Sequence, residues 1–275
     1  MGYTMSRYFV PGVCELPAAL ISNGDDRSVV DALRSAKTEG AALAAIVPTS
    51  DEDFARYRRL GFAEFFMIER SKVKLKLLGD AEEKIVDLPT ERAPECDAQM
   101  FEVARWRGHM MRTDGMWRTA AEGVTSQGGG VLTVEREGKL AGYAFYHPTD
   151  GYAVIDELFC EDEPAFIALQ RAVLNRCGVE EGILCAPACP HGAERFGMVR
   201  AIDCAALLEC AEKRRPGDIA IEVEDEELGV SARYEARGGK VSIETRQDRA
   251  ALQPGEFAAI ILGGGPAPYM NMVFC

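Results

Sequence analysis

A chain of 275 residues is long for one compact core and comfortable for two or three small domains. A hydrophobic fraction of 47% and a charged fraction of 27% are ordinary globular values and exclude wholesale disorder. The net charge of −13 excludes docking on nucleic acid or on anionic membrane, both of which need a basic face, and favours cationic ligands. No stretch approaches the roughly twenty apolar residues of a membrane span. The N-terminus also lacks a basic region followed by a long apolar run. The nine cysteines are scattered, often in apolar surroundings such as Leu158-Phe159-Cys160, and read as reduced, buried thiols of a cytoplasmic protein.

The first segment, 1–78, opens with a short strand over 16–22 and a helix over 27–38, which Gly40 is placed to end in a left-handed conformation. The continuous apolar run 41–47 suits a strand buried on both faces. After the break Pro48-Thr49-Ser50-Asp51, Ser50 or Asp51 can cap a helix over 52–60 whose first turn is acidic, as the helix dipole prefers. Gly61 stops it, and 62–76 alternates as a further strand. Strand and helix in alternation predict an α/β fold.

The second segment, 79–197, begins with a Pro-containing linker and a predicted helix over 94–110. After Gly128-Gly129-Gly130 come strands over 131–136 and 140–147, joined by Glu137-Gly138-Lys139 in a hairpin signal. A strand over 152–159 and a helix over 163–176 follow. The third segment, 198–275, reads as a helix over 203–212 capped by Asp203, then strands over 219–223, 230–236 and 240–245. A helix around 254–262 and an apolar tail over 266–275 close the chain.

Two motifs with chemical residue types are bland in this setting. Cys185-x-x-x-Cys189-Pro-His191 has zinc-ligand types but loose spacing and no evident fourth ligand, so no metal is expected. The glycine triplets at 128–130 and 263–265 lack the following Lys-Ser/Thr of a phosphate loop and read as turns.

The order of parts resembles the enhanced intracellular survival family within the GNAT superfamily of N-acetyltransferases. The resemblance rests on Ala44-Ala45-Ile46-Val47-Pro48-Thr49-Ser50, on Phe54-Ala55-Arg56-Tyr57-Arg58-Arg59-Leu60-Gly61-Phe62, on the 131–147 hairpin and on the closing Pro268-Tyr269-Met270-Asn271-Met272-Val273-Phe274. It implies an α/β (α+β) chain of tandem acetyltransferase-like domains with a sterol-carrier-like α+β domain after them. The implied boundaries are an incomplete first domain at 1–78, lacking N-terminal strands, a degenerate second at 79–197 and the sterol-carrier-like domain at 198–275. The implied chemistry is transfer of acetyl from acetyl-CoA to a cationic small-molecule or peptide amine. Such a reaction needs a neutral amine, oxyanion donors and a proton for the leaving thiolate. By resemblance Tyr57 is the acid and the terminal carboxylate of Cys275 the base. A homo-oligomer is a further expectation of the resemblance.

The matching cofactor turn reads Ser22-Asn23-Gly24-Asp25-Asp26-Arg27-Ser28, where the resemblance implies a glycine-rich phosphate turn opening a helix. One glycine remains, and two carboxylates face the diphosphate position against Arg27 alone. Two readings stay open. Cofactor binding is lost and the chain is a ligand-binding or scaffolding module, or the cofactor binds in a shifted register on Ser22, Asn23, Gly24 and Arg27.

Overall fold

The structure, a computed structural model, describes residues 2–104, 108–187, 193–214, 219–237, 240–245 and 251–262. In chain order, β1 (Tyr3–Val10), β2 (Cys14–Ile21), α1 (Asp26–Thr38), β3 (Leu43–Ile46), α2 (Asp51–Arg59) and β4 (Ala63–Lys74) come first. They are followed by β5 (Ile85–Asp87), α3 (Cys96–Ala104), β6 (His109–Met111), α4 (Asp114–Ser126), β7 (Gly130–Arg136) and β8 (Lys139–Thr149). Then come β9 (Tyr152–Cys160), α5 (Glu163–Cys177), β10 (Glu181–Pro187), β11 (Glu194–Ala201) and α6 (Cys204–Arg214). Finally β12 (Ile219–Asp225), β13 (Val230–Arg237), β14 (Lys240–Thr245) and α7 (Pro254–Leu262) complete a mixed α/β fold. Among the described residues, no helix is long and apolar enough to cross a membrane.

Among the described residues, the contacts divide the chain into two compact units, one drawn from 2–67, 108–111 and 194–262, the other from 68–104, 112–187 and 193. In the first unit β1 and β2 form an antiparallel hairpin, Tyr3 opposite Ile21 and Val10 opposite Cys14. β2 then pairs in parallel with β3, from Ala18 opposite Leu43 to Ile21 opposite Ile46. The crossover between them is α1, capped by Asp25 and burying Val29, Val30, Leu33 and Ala36 as one apolar stripe. Gly40, at φ 84°, takes the left-handed turn that returns the chain to β3. β11 runs antiparallel on the far side of β3, and the first residues of β4 lie beside β11. Helices α1 and α2 share a core with the strands, in which Ile21, Leu33, Ile46, Phe54, Tyr57, Phe62 and Met198 are buried together.

The three-stranded sheet β12-β13-β14 belongs to the same unit. It is anchored at the end of α2. The fully buried Arg200 of β11 donates to the Leu60 carbonyl and pairs with Asp225 of β12. The Gly255 amide of α7 donates to the Gly61 carbonyl at 2.8 Å. A Cβ on Gly255 would lie 2.2 Å from the Ala63 nitrogen, so only glycine permits this approach.

In the second unit the strand order is β5-β7-β8-β9-β10 and then the later residues of β4, where Ile68 to Lys74 pair with Pro187 to Glu181. Only β9 and β10 among these pair in parallel, and α5 is their crossover. α5 starts on the Asp162 cap with Pro164 in its first turn and ends on Gly178 in the left-handed region. The core joins Leu132, Val134, Ala144 and Ile155 of the sheet to Leu169, Val173 and Leu174 of α5.

Several elements differ from the sequence expectation. The helix predicted over 94–110 is a 3-10 turn at Thr90–Glu95 followed by α3, and His109–Met111 is a strand instead. That strand pairs with β1, and a Cβ on Gly108 would sit 2.2 Å from the Tyr8 hydroxyl, so the chain there is committed to sheet contact. β1, α4, β5, β10 and β11 have no counterpart in the sequence reading. α4 is capped by Thr113 and buries Met116, Trp117, Ala120, Ala121 and Val124 at helical spacing, but Gly115 and Gly123 mask it to propensity reasoning. The predicted tail over 266–275 lies outside the described residues.

Candidate functional site

Four residues, Ser22 to Asp25, connect β2 to α1 in the first unit. Ser22 donates its amide to the Gly2 carbonyl at 2.8 Å, which fixes the start of the turn. Gly24 packs on the first turn of α1, where an added Cβ would meet Ser28 Cβ at 3.2 Å. Asp25 is the cap, its carboxylate accepting from the Ser28 amide at 2.8 Å. The Ser28 side chain is the leading reason the Asp25 carboxyl titrates below its usual range, and the hydrogen bond from the Ser28 amide is the next.

Tyr57 comes to this turn from α2. Its ring is fully buried and lies 6.1 Å from that of Phe62. The hydroxyl donates to Asn23 Oδ1 at 3.0 Å and accepts from the Gly24 amide at 3.4 Å and from Arg56 Nη2 at 2.8 Å. A phenol has one proton to give and two lone pairs to offer, so this hydroxyl is fully committed. Arg56 is held in turn by Asp53 at 2.6 Å and lies 3.8 Å from Asp26. Asp53 also accepts from the Thr49 hydroxyl and amide at 2.7 and 3.1 Å, and the Thr49 hydroxyl is the leading cause that lowers its carboxyl pKa.

Tyr57, Ser22, Asn23 and Gly24 therefore meet in one place although 33 residues separate Gly24 from Tyr57. Arg27 does not join them. Its side chain is exposed and faces Asp31 at 4.0 Å. Cys275, Cys189 and His191 lie outside the described residues. Cys185 is buried, with Arg70 Nη1 3.8 Å from its sulfur. Arg56, Asp53 and Thr49 had no role in the sequence reading. The signal for the last two was present as the Thr49-x-x-x-Asp53 spacing at the start of α2.

A diphosphate at this turn would need free amides at the head of α1 and little negative charge nearby. The structure commits two of these amides and adds negative charge. The Gly24 amide is spent on Tyr57 and the Ser28 amide on Asp25. Asp25 and Asp26 place two carboxylates at the helix start, where the dipole already has its anion. β2 is paired on both edges as far as Ile21, with β1 on one side and β3 on the other. A groove of about 340 Å³ along α2 is lined by Glu52, Asp53, Ala55, Arg56 and Arg59, whose charges balance and add no net attraction for phosphate. The turn does not fit the phosphates of coenzyme A as it stands.

The second unit has a polar centre of another kind. Glu157, buried on β9, accepts from the Tyr143 hydroxyl at 2.6 Å and pairs with Arg112. The Arg112 guanidinium lies 4.0 Å over the Trp117 ring, and Trp117 donates to Asp97 at 3.0 Å. Near the surface, His147 Nδ1 and Asp156 are 2.8 Å apart, and this contact raises the His147 pKa.

No family model matches the sequence, and no curated protein is similar to it in sequence. Solved structures do match in fold. Eis1 from Mycobacterium abscessus superposes with a TM-score of 0.64 at 20% identity, over 96% of this chain and 76% of that one. A GCN5-related N-acetyltransferase from Anabaena variabilis ATCC 29413 gives 0.69 at 13% identity, over 98% and 84%. A conserved Enterococcus faecalis V583 protein, described as a probable N-acyltransferase, gives 0.69 at 16% identity, over 95% and 75%. The fold of this chain is that of the GCN5-related N-acetyltransferases.

Proposed function

We propose that this chain keeps the acetyltransferase framework without its cofactor chemistry and serves as a ligand-binding or scaffolding module. The observation that carries this reading is the closed turn. The Asp25 carboxylate holds the Ser28 amide in the first turn of α1, and Tyr57 holds the Gly24 amide. Opening the turn forfeits a helix cap and a weak hydrogen bond and brings a diphosphate beside two carboxylates. Together these lower affinity by roughly a hundredfold, enough to move a micromolar site towards millimolar. Calorimetric titration of the full chain with acetyl-CoA at low salt tests it. No heat below millimolar cofactor is expected, and saturable binding at low micromolar concentration overturns it.

A second reading is favoured by a separate observation, the meeting of Tyr57 with Asn23 and Gly24. In it the chain acetylates a cationic small-molecule or peptide amine from acetyl-CoA, with Tyr57 as acid and the Cys275 carboxylate as base. If acetyl-CoA does bind, Tyr57→Phe should cut turnover at least tenfold with little change in cofactor affinity. Unchanged turnover removes Tyr57 from that role.

The division into acetyltransferase-like parts at 1–78 and 79–197 and a sterol-carrier-like part at 198–275 belongs to this proposal. Its support is that each unit contains a strand–helix–strand crossover with a parallel pair, β2-α1-β3 and β9-α5-β10. The C-terminal segment has a separate three-stranded sheet.

A further inference from the structure

We propose that Cys14 and Cys210 are a redox pair, which a hydroperoxide converts into a disulfide stapling strand β2 to helix α6. The two sulfurs are 3.2 Å apart in the reduced protein, although 196 residues separate them in sequence. That is closer than ordinary sulfur contact, and a small side-chain rotation brings them to the roughly 2 Å of a disulfide bond. The position of each is fixed by its element. Cys14 is the first residue of β2, held opposite Val10 by the tight Pro11-Gly12-Val13 turn, in which Gly12 takes φ 70°. Cys210 lies on the buried side of α6, 3% exposed, in the same compact unit.

The asymmetry in exposure sets the order of events. Cys14 is half-buried and within reach of a small oxidant, whereas Cys210 is covered. With hydrogen peroxide as the oxidant, the Cys14 thiolate attacks one peroxide oxygen, the O–O bond breaks, and the departing oxygen leaves as water after taking a proton. The sulfenic acid left on Cys14 is then attacked by the Cys210 sulfur. The S–S bond forms, the S–O bond breaks, and a second water departs. Two thiols lose two electrons and the peroxide gains them. Cys204 and Cys160 are poorer starting points. Burial pushes the Cys204 thiol up to about 12 and the Cys160 thiol up to about 11, so both stay protonated at neutral pH.

The product joins the segment carrying α6 and the β12-β13-β14 sheet to the strand that leads into the Ser22–Asp25 turn. Closing so long a loop constrains the unfolded chain strongly. The test uses the full chain, reduced, desalted and treated with a few equivalents of hydrogen peroxide, then alkylated and mapped by mass spectrometry. The expected result is a Cys14–Cys210 linked peptide and a rise in Tm of about 5–10 °C that dithiothreitol reverses. Cys14→Ser, at the more exposed position, should fold normally and lose both the linked peptide and the rise. Sulfinic acid on Cys14 with no linked peptide in the wild-type chain overturns the proposal, as does an equal rise in Tm in Cys14→Ser.

Discussion

The two parallel crossovers, β2-α1-β3 and β9-α5-β10, solve the same topological problem with different turns. In the first unit four residues with a glycine lead into the helix, and the turn takes a phenol from α2. In the second, only Glu161 and Asp162 separate β9 from α5, and Asp162 is locked by Arg136 at 2.6 and 2.9 Å as well as by the Ala165 amide at 3.0 Å. Arg136 is pinned by Glu83 on its other side. Both helices are capped by aspartate, so both heads already hold an anion. They differ in what backs the cap: an arginine clamp in the second unit, a glycine and a tyrosine hydroxyl in the first.

The polar centres differ in the same sense, and the largest expected effect lies there. Glu157 and Arg112 have fully buried side chains. Replacing Glu157 by Ala breaks the buried ion pair with Arg112 and removes the acceptor of the Tyr143 hydroxyl, which should destabilise the protein by about 3–5 kcal/mol. Glu157→Gln, still able to accept from Tyr143, should cost less. Urea unfolding followed by tryptophan fluorescence reads both, since Trp117 sits beneath Arg112. A loss under about 1 kcal/mol for Glu157→Ala would mean that the buried pair is not what holds this centre.

A smaller effect sharpens the comparison of the turns themselves. The double change Asp25→Ser with Asp26→Gly removes both carboxylates while leaving a hydroxyl cap and adding a second glycine to the turn. Affinity for coenzyme A should rise at least tenfold in calorimetry. Asp162→Ser in the second unit should leave coenzyme A affinity unchanged. It should lower stability through the loss of the Arg136 clamp. Equal gains from both changes would show that the two turns are equivalent after all.

Much of this was legible in the sequence because it follows from local periodicity and caps. The run 41–47, the Gly40 and Gly61 stops and the Ser50 position place β3, α1 and α2 with little ambiguity, whereas the Asp25 cap of α1 emerged only from the structure. Short strands such as β6 and mixed ones such as β1 carry no such signal, because tertiary pairing alone makes them strands. Nor does periodicity reveal that 194–262 packs with 2–67, since those contacts join distant parts of the chain. At the site, the sequence offered Tyr57, Asn23 and Gly24 as candidates for separate roles and carried no signal that they hydrogen-bond to one another. The Arg56 contact depends on side-chain direction at the end of a helix, and the Cys14–Cys210 approach on two elements at opposite ends of the chain.

The smallest expected effect is a pH response. His147 and Asp156 lie on neighbouring strands of the second unit, and the contact raises the His147 pKa above the ordinary value of 6.5. A group whose folded pKa is raised contributes most when protonated in both states. Its contribution is complete below about 6.5 and fades as pH rises through the higher folded value. Asp25, Asp53 and Asp162 behave oppositely: their lowered values contribute above about 3.8 and are lost on further acidification. Both turns therefore weaken in acid, while the histidine contribution fades between neutral and mildly alkaline pH. Thermal melts at pH 5.5 and pH 8 should show a drop in the wild-type chain that His147→Gln reduces, whereas Asp25→Ser should leave that drop intact. Identical drops in wild type and His147→Gln would assign the response to other groups and remove the His147–Asp156 pair from the differences between the units.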